Sequence, residues 1–370
     1  MDILIFSKTI RTLNINLAKT SSQIFEIEFA ESLASFANVS IVSLQATKKE
    51  VNKGVSLYPI NQRKFIKYFI KSLIEKNNLF KDHSKILLFY GYDYLIMNQL
   101  QWVSNKFGAQ LISYTFDTHK AAIEHKRWTK RVIIDFYFHL GIKKLNSIDG
   151  IILFNYAAYE ELQLKIPYII SKVGVNSEKV SSKIYQRNEK ESFNIVYAGT
   201  LTTYNGINII IESMKHLISE KINLEIYGDG PLKNYVIENS NKDQRIYYGG
   251  LLTKEEIDKK IQKADLLLNL RDTNHYVSKF AFPSKLIQYL SSGTPVLSTR
   301  VLEDADFANV AFVIDDFTPK KTSKMIKYIM DNPYEQQKRS IQSKDYIRKK
   351  FSWNNIGEDI YEFFLEVSDS

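Results

Sequence analysis

Residues 281–299, AFPSKLIQYLSSGTPVLST, gather the groups that could hold an anion. Pro283 suits the first turn of a helix, where its missing N–H has no partner to lose, and Ser284 and Lys285 then fall in that same turn. A hydroxyl, an ammonium and free backbone N–H groups meet there at the positive end of a helix dipole, which is a phosphate site in chemical terms. Gly293 ends the helix in a left-handed turn, and residues 295–298 return as a buried strand. An ordinary helix, glycine and strand of an α/β sheet would show the same window, so the spacing alone leaves both readings open. A second candidate is YTFDTH, in which Asp117 and His119 follow a strand at 110–115. They stand at its carboxyl end, where open α/β sheets bind ligands, although a capping aspartate beside a surface histidine would look alike.

These residues need a scaffold, and the apolar runs supply one. Short buried-type runs at 2–6, 39–44, 86–90, 110–115 and 150–154 alternate with helical patterns, and the style repeats at 193–198, 223–227, 245–248, 265–270 and 295–298. Such alternation predicts βαβ units and parallel sheets. Ser21 or Ser22 can cap one helix and Asp93 another. A chain of 370 residues predicts two domains. The polar stretch 175–192 marks the boundary, giving 1–175 and 176–352. Residues 353–370 form an amphipathic helix whose packing partner the spacing leaves undecided.

Composition narrows the classes. With 44% hydrophobic and 13% aromatic residues the chain buries real cores, and with no cysteine it has no disulfide, thiolate zinc site or cysteine nucleophile. Neither a signal peptide nor an uninterrupted apolar run of membrane-spanning length is read, so the expected location is the cytoplasm. The net charge of +9 is lopsided: residues 1–170 hold 22 Lys+Arg against 14 Asp+Glu, and the remainder 28 against 27. No nucleic-acid reading motif accompanies this charge, so an anionic membrane surface or a phosphate-bearing substrate is expected instead. Residues 61–78 place Phe65, Ile66, Phe69, Ile70 and Leu73 on one helical face beside Arg63, Lys64, Lys67 and Lys71, the pattern of an interfacial helix; HKRWTKR at 125–131 is a second basic cluster. A domain helix with a solvated basic edge would share that pattern.

Taken in order, the motifs resemble family 4 retaining glycosyltransferases of the GT-B fold, in the PSK-motif branch of bacterial polysaccharide synthesis. Residues 281–299 resemble the PSK signature, IVYAGTLTTYNGINIIIESM the first donor-domain strand and glycine loop, LEIYGDGP the second, YYGGLLTKEEI the third, and ADLLLNLR the strand that ends in an arginine; SKVGVNSEKV resembles the lead-in. The resemblance implies two Rossmann-like domains with parallel sheets facing across a cleft. It implies a nucleotide-sugar substrate, UDP-linked, with no cofactor and no metal, and a glycan or lipid-linked acceptor at the inner membrane face. For the donor it implies Gly199, Thr200, Asn205, Gly228, Gly230, Leu251, Arg271, Lys279, Pro283, Ser284, Lys285 and Gln288, and for catalysis Lys285 with Asp117 and His119. DAD at 304–306 falls where the family has an acidic loop and reads as solvated.

The sequence also departs from that family. Phe280 and Gln288 replace a frequent glutamate pair, Thr200 and Asn205 stand where arginine and lysine are common, and the loop 7–22 has no glycine. The cationic role then falls to Lys285, with Arg271 and Lys279 beside it. Two other readings share a diphosphate site: a non-catalytic partner of a glycosyltransferase, and a nucleotide-sugar epimerase, which would not need a basic acceptor domain.

Overall fold

The computed structural model describes the whole chain apart from residues 61–64, 116–127, 183, 188–191, 219–220, 281, 303 and 370. The chain divides into two compact units, one of Met1–Gly174, Phe280–Phe282 and Phe351–Ser370, the other of Val175–Lys279 and Pro283–Lys350.

The first unit is built on strands β1 (Asp2–Ser7), β2 (Asn38–Ser43), β3 (Glu50–Asn52), β4 (Val55–Pro59), β5 (Lys85–Tyr90), β6 (Gln110–Thr115), β7 (Gly150–Leu153) and β8 (Tyr168–Ile170). They lie in the order β3-β4-β2-β1-β5-β6-β7-β8, all parallel except the short edge strand β3. β1 reads DILIFS and is buried at every position, as a central parallel strand covered on both faces must be. The order reverses at β1, whose neighbours β2 and β5 lead away in opposite directions.

The second unit repeats the plan with β9 (Phe193–Ala198), β10 (Ile222–Tyr227), β11 (Ile246–Gly250), β12 (Leu266–Asn269), β13 (Val296–Thr299) and β14 (Phe312–Ile314). Their order is β11-β10-β9-β12-β13-β14, with every pairing parallel. The reversal here falls between β9 and β12. At such a switch point, crossovers leave on opposite faces and open a crevice at the carboxyl ends of the strands.

Several expectations change. The described residues of the polar stretch 175–192, where the boundary was expected, are tied into the second unit: the Ser181 N–H donates to the Ser291 carbonyl (3.0 Å), and the Tyr185 hydroxyl reaches Asp265 (3.0 Å) and Gln336 (2.8 Å). Its polar residues find partners in that unit, which apolar periodicity could not reveal. The helix expected at 61–78 runs Ile66–Asn77 and buries Ile66, Ile70 and Ile74. This i, i+4 row packs against the helix Tyr94–Phe107, so its apolar face belongs to the fold and is closed to a bilayer. Left outward are Phe65 and Tyr68, with Trp102 beside them and the Lys67 ammonium 5.0 Å from the Tyr68 ring and 5.2 Å from that of Trp102. Arg63, Lys64 and residues 125–127 lie outside the described residues. Among the described residues no helix is long and apolar enough to cross a membrane.

The last helix, Trp353–Asp369, has a definite partner. Ile356, Ile360, Phe363, Phe364 and Val367 enter the core of the first unit with Phe25 and Phe29. The indole N–H of Trp353 donates to Glu28 (2.9 Å), and its ring meets the edge of Phe25 at 5.3 Å. Gly150 lets this helix close on β7, since a Cβ there would lie 3.0 Å from Phe363. Replacing Trp353 by alanine leaves a large void and removes the indole N–H from Glu28, with an expected loss of about 3–5 kcal/mol. Denaturant unfolding followed by the fluorescence of the two remaining tryptophans, both in the first unit, checks it.

Candidate functional site

The crevice of the second sheet is floored by three turns that follow β9, β10 and β11. The Gly199 N–H donates to the Tyr227 carbonyl (2.8 Å), Leu201 to Asp229 (2.9 Å), Leu232 to Leu201 (2.9 Å) and Gly228 to Gly250 (2.8 Å), so the turns are laced through their backbones. This closeness dictates the glycines. Gly228 and Gly230 have φ of +135° and +154°, and a Cβ would lie 1.9 Å from the Gly199 oxygen and 2.6 Å from the Leu201 oxygen respectively.

Lys285 enters from the other side. The helix Ser284–Ser292 begins at Pro283, which occupies the capping position just ahead of the first turn, and ends at Gly293 with φ of +73°. From that turn the Lys285 stem runs inward until Nζ rests against Gly199, where a Cβ would lie 1.8 Å from it. The ammonium also sits 5.9 Å from the Tyr197 ring. Arg271 follows β12, its backbone fixed by Thr299, whose hydroxyl accepts from the Arg271 N–H (3.0 Å) and donates to its carbonyl (2.6 Å). Tyr197, Asn205, Asn269, Arg271, Lys285 and Tyr289 line a small cavity with apolar neighbours from β12. Burial, and then the neighbouring guanidinium, push the Lys285 ammonium down to about 8. Among the described residues no carboxylate forms an ion pair with Lys285. Two cations thus share a desolvated crevice at a helix start, and an anion placed between them would relieve the mutual repulsion.

The other expected residues are distributed unevenly. Asn205 lines the cavity and donates from its amide to the Thr200 carbonyl (3.0 Å), which also accepts from the Tyr197 hydroxyl (2.8 Å). The Thr200 side chain and Ser284 are exposed, Leu251 is 74% exposed, and Lys279 is exposed at the end of the helix Tyr276–Phe280. Gln288 is turned aside: its amide donates to Asp258 (2.9 Å), and it is not among the cavity's lining residues. Asp117 and His119 lie outside the described residues. The acidic loop at 304–306 is not simply solvated, because Lys350 pairs with both Asp304 (2.9 Å) and Asp306 (2.7 Å), and the Tyr346 hydroxyl donates to Asp304 (3.0 Å). That cation removes the repulsion a metal would otherwise neutralise. Among the described residues no group of three or more metal-ligating side chains is found.

Sequence reasoning missed Tyr289 and Thr299. The buried Tyr289 hydroxyl accepts from the Ala198 N–H (2.9 Å) and donates to the Ala198 carbonyl (3.0 Å), pinning the signature helix to the end of β9; burial raises its pKa. A tyrosine in an apolar helical row reads as core, so only its hydroxyl could have marked it. In the first unit, the loop after β1 does without glycine by building on a carboxylate. Glu26, 2% exposed, accepts hydroxyls from Ser7 (2.5 Å), Thr9 (2.7 Å) and Ser22 (3.2 Å), and burial raises its pKa despite them.

Comparison with known proteins agrees with this geometry. Residues 192–332 match the family model described as glycosyl transferases group 1. Protein CapJ of Staphylococcus aureus is 27% identical over 156 residues, 40% of this chain, and the match spans 34% of CapJ's own length. HepE of Anabaena, solved in complex with UDP, superimposes with a TM-score of 0.67 at 12% identity, covering 99% of this chain and 100% of that one. Sucrose-phosphate synthase of Thermosynechococcus elongatus gives 0.67 at 12% identity, over 99% of this chain and 98% of its own. The fold is therefore that of the GT-B glycosyltransferases: two α/β units, each on a parallel sheet.

Lys285→Met replaces the desolvated ammonium by an apolar stem of similar length. Because the folded-state value near 8 lies below the ordinary 10.5, the folded chain holds fewer protons than the unfolded one between those values. The group therefore weakens the fold most below pH 8, and the penalty fades as pH rises toward 10.5. Lys285→Met is expected to unfold at a higher temperature than the parent at pH 7, with the difference narrowing by pH 10, as read by scanning calorimetry.

Proposed function

We propose that the chain is a retaining glycosyltransferase that takes a sugar from a UDP-linked donor held on the second unit and passes it to a hydroxyl of a glycan acceptor on the first. The observation that carries this reading is the Lys285 ammonium seated on the Gly199 turn beside Arg271, at the start of the signature helix and the switch point of the sheet. As the glycosidic bond breaks, negative charge gathers on the departing diphosphate. Lys285, Arg271 and the helix N–H groups are preorganised to receive it in a partly desolvated crevice, where such charge stabilisation is strongest. The diphosphate in turn favours the charged form of Lys285. The HepE complex with UDP supports the uridine base, and the family match over 192–332 supports the reaction class. Asp117 and His119 are assigned to the transferred sugar on the strength of the motif resemblance.

We assign the acceptor to surface polysaccharide synthesis, lipid-linked and met at the inner membrane face. The basic first half supports this, as does the outward cluster of Phe65, Tyr68 and Trp102 with Lys67, Lys71 and Lys106, which combines aromatic anchors with charges for anionic headgroups. A second reading, a partner that holds a nucleotide sugar without turning it over, has its own support. Gln288 is committed to Asp258 and Phe280 is buried, so neither supplies the sugar contact that a glutamate would.

Turnover separates the two. With UDP-sugar and a glycan acceptor, Lys285→Ala is expected to lower kcat by about 10²–10³ while changing donor KM far less, because its charge counts most in the transition state. Steady-state kinetics within threefold of the parent would remove Lys285 from catalysis, and UDP binding with no turnover in the parent would favour the partner reading. Membrane docking is checked by co-sedimentation with vesicles containing phosphatidylglycerol. Lys67→Glu with Lys71→Glu is expected to release the protein at least tenfold, at roughly 1 kcal/mol for each basic residue, and added salt to release it likewise. Unchanged binding would end that assignment.

A further inference from the structure

For three residues the chain leaves the second unit, and it does so just ahead of Lys285. Phe280 and Phe282 pack with the first unit, whereas Lys279 before them and Pro283 after them belong to the second. Two residues that follow β7 hold them there. The short helix Tyr276–Phe280 ends at the Phe280 carbonyl, one of the acceptors that a helix leaves unpaired at its C-terminus, and the Asn155 amide donates to it (2.9 Å). Phe282 sets its ring 5.2 Å from that of Phe154 and 6.5 Å from that of Phe351.

Asn155 uses both ends of its amide. The oxygen accepts from the Ala158 N–H (2.8 Å) and caps the helix Tyr156–Glu161, which fixes the direction in which the nitrogen points. An asparagine between a strand and a helix reads in sequence as that cap alone.

The helix that carries Lys285 depends on an outside hold. Pro283 stands at its cap position and makes no side-chain hydrogen bond to the first turn. Further along, Tyr289 clamps the helix to Ala198 through two hydrogen bonds. A helix pinned at one point can pivot about it; a second anchor stops the pivot. Phe280 and Phe282 supply that second anchor, and Lys285 lies between the two. Its seat leaves little slack, since a Cβ at Gly199 would lie 1.8 Å from Nζ.

We propose that Asn155 is a positioning residue for Lys285: through the Phe280 carbonyl it fixes the entry of the signature helix and so holds Nζ against Gly199. The effect on catalysis rests on the reading of the chain as a glycosyltransferase, in which Lys285 receives the charge of the departing diphosphate.

Two variants of the full chain separate this tie from the cap. Asn155→Asp and Asn155→Ser each keep an oxygen for the Ala158 N–H, but aspartate turns an acceptor toward the Phe280 carbonyl and serine is too short to reach it. Phe282→Ala loosens the same segment without touching Asn155. Calorimetric unfolding establishes that each variant is folded. The Lys285 ammonium is then titrated by NMR of protein labelled with ¹³C at lysine Cε, Lys285→Met giving the assignment. The parent is expected to titrate near pH 8, where burial holds it. In all three variants, with the ammonium released toward water, the midpoint is expected to rise by about one pH unit or more. On the same samples, kcat for UDP release from UDP-sugar with a glycan acceptor is expected to fall about tenfold, with donor KM changed far less. An unchanged Lys285 titration would overturn the proposal, as would kcat within threefold of an active parent. A shifted titration with no turnover in the parent would uphold the tie and sink the transferase reading instead.

Discussion

The second unit is organised around one contact, the ammonium of Lys285 against the backbone of Gly199. A side chain at 199 would occupy the space that Nζ fills, and a side chain at 228 would run into the Gly199 carbonyl, so one cation requires two bare backbones in adjacent turns. Tyr289 holds the helix that delivers the lysine, and Thr299 fixes the backbone of Arg271. The arrangement places like charges near each other in a partly dry crevice. Such a site is less comfortable empty than filled, and that tension is what a binding site for an anion needs.

Both units use the same geometric device with different chemistry. A doubly wound sheet opens a crevice wherever its strand order reverses, and the reversals fall at β1 in one unit and β9 in the other. In the second, the crevice brings the Lys285 ammonium and the Arg271 guanidinium to glycine-thin backbone. In the first, a buried glutamate with three hydroxyls shapes the loop where glycine is absent.

Much of this was legible in the sequence because period-2 and period-3.6 patterns report burial, and parallel strands such as β1 and β9 are buried on both faces. Lys285 stood out by type, two residues after a proline at a helix start, and Gly228 and Gly230 through the motif resemblance. What escaped had weak local signals. β3, β8 and β14 have three residues each, too few for a pattern to register. Gln288 and Tyr289 are adjacent on a helix, so a motif could not tell which one faces the site. The stretch 175–192 gave no sign of which unit holds it because its partners, Asp265, Ser291 and Gln336, are far along the chain. The outward aromatic cluster crosses two helices and has no linear trace.

The way the last helix rejoins the first unit has a consequence for how the protein is made. Five of its apolar residues belong to a core whose other members come from the first 152 residues, apart from Trp353 at the helix's own start. On the ribosome, the whole of the second unit therefore emerges while the first still lacks one layer of its packing. Contacts that span more than 300 residues are slow to close and late to form, so the nascent chain carries an exposed apolar groove along helix Ser21–Leu33 for most of its synthesis. The second unit, contiguous but for the three residues 280–282, can be complete before the first is finished.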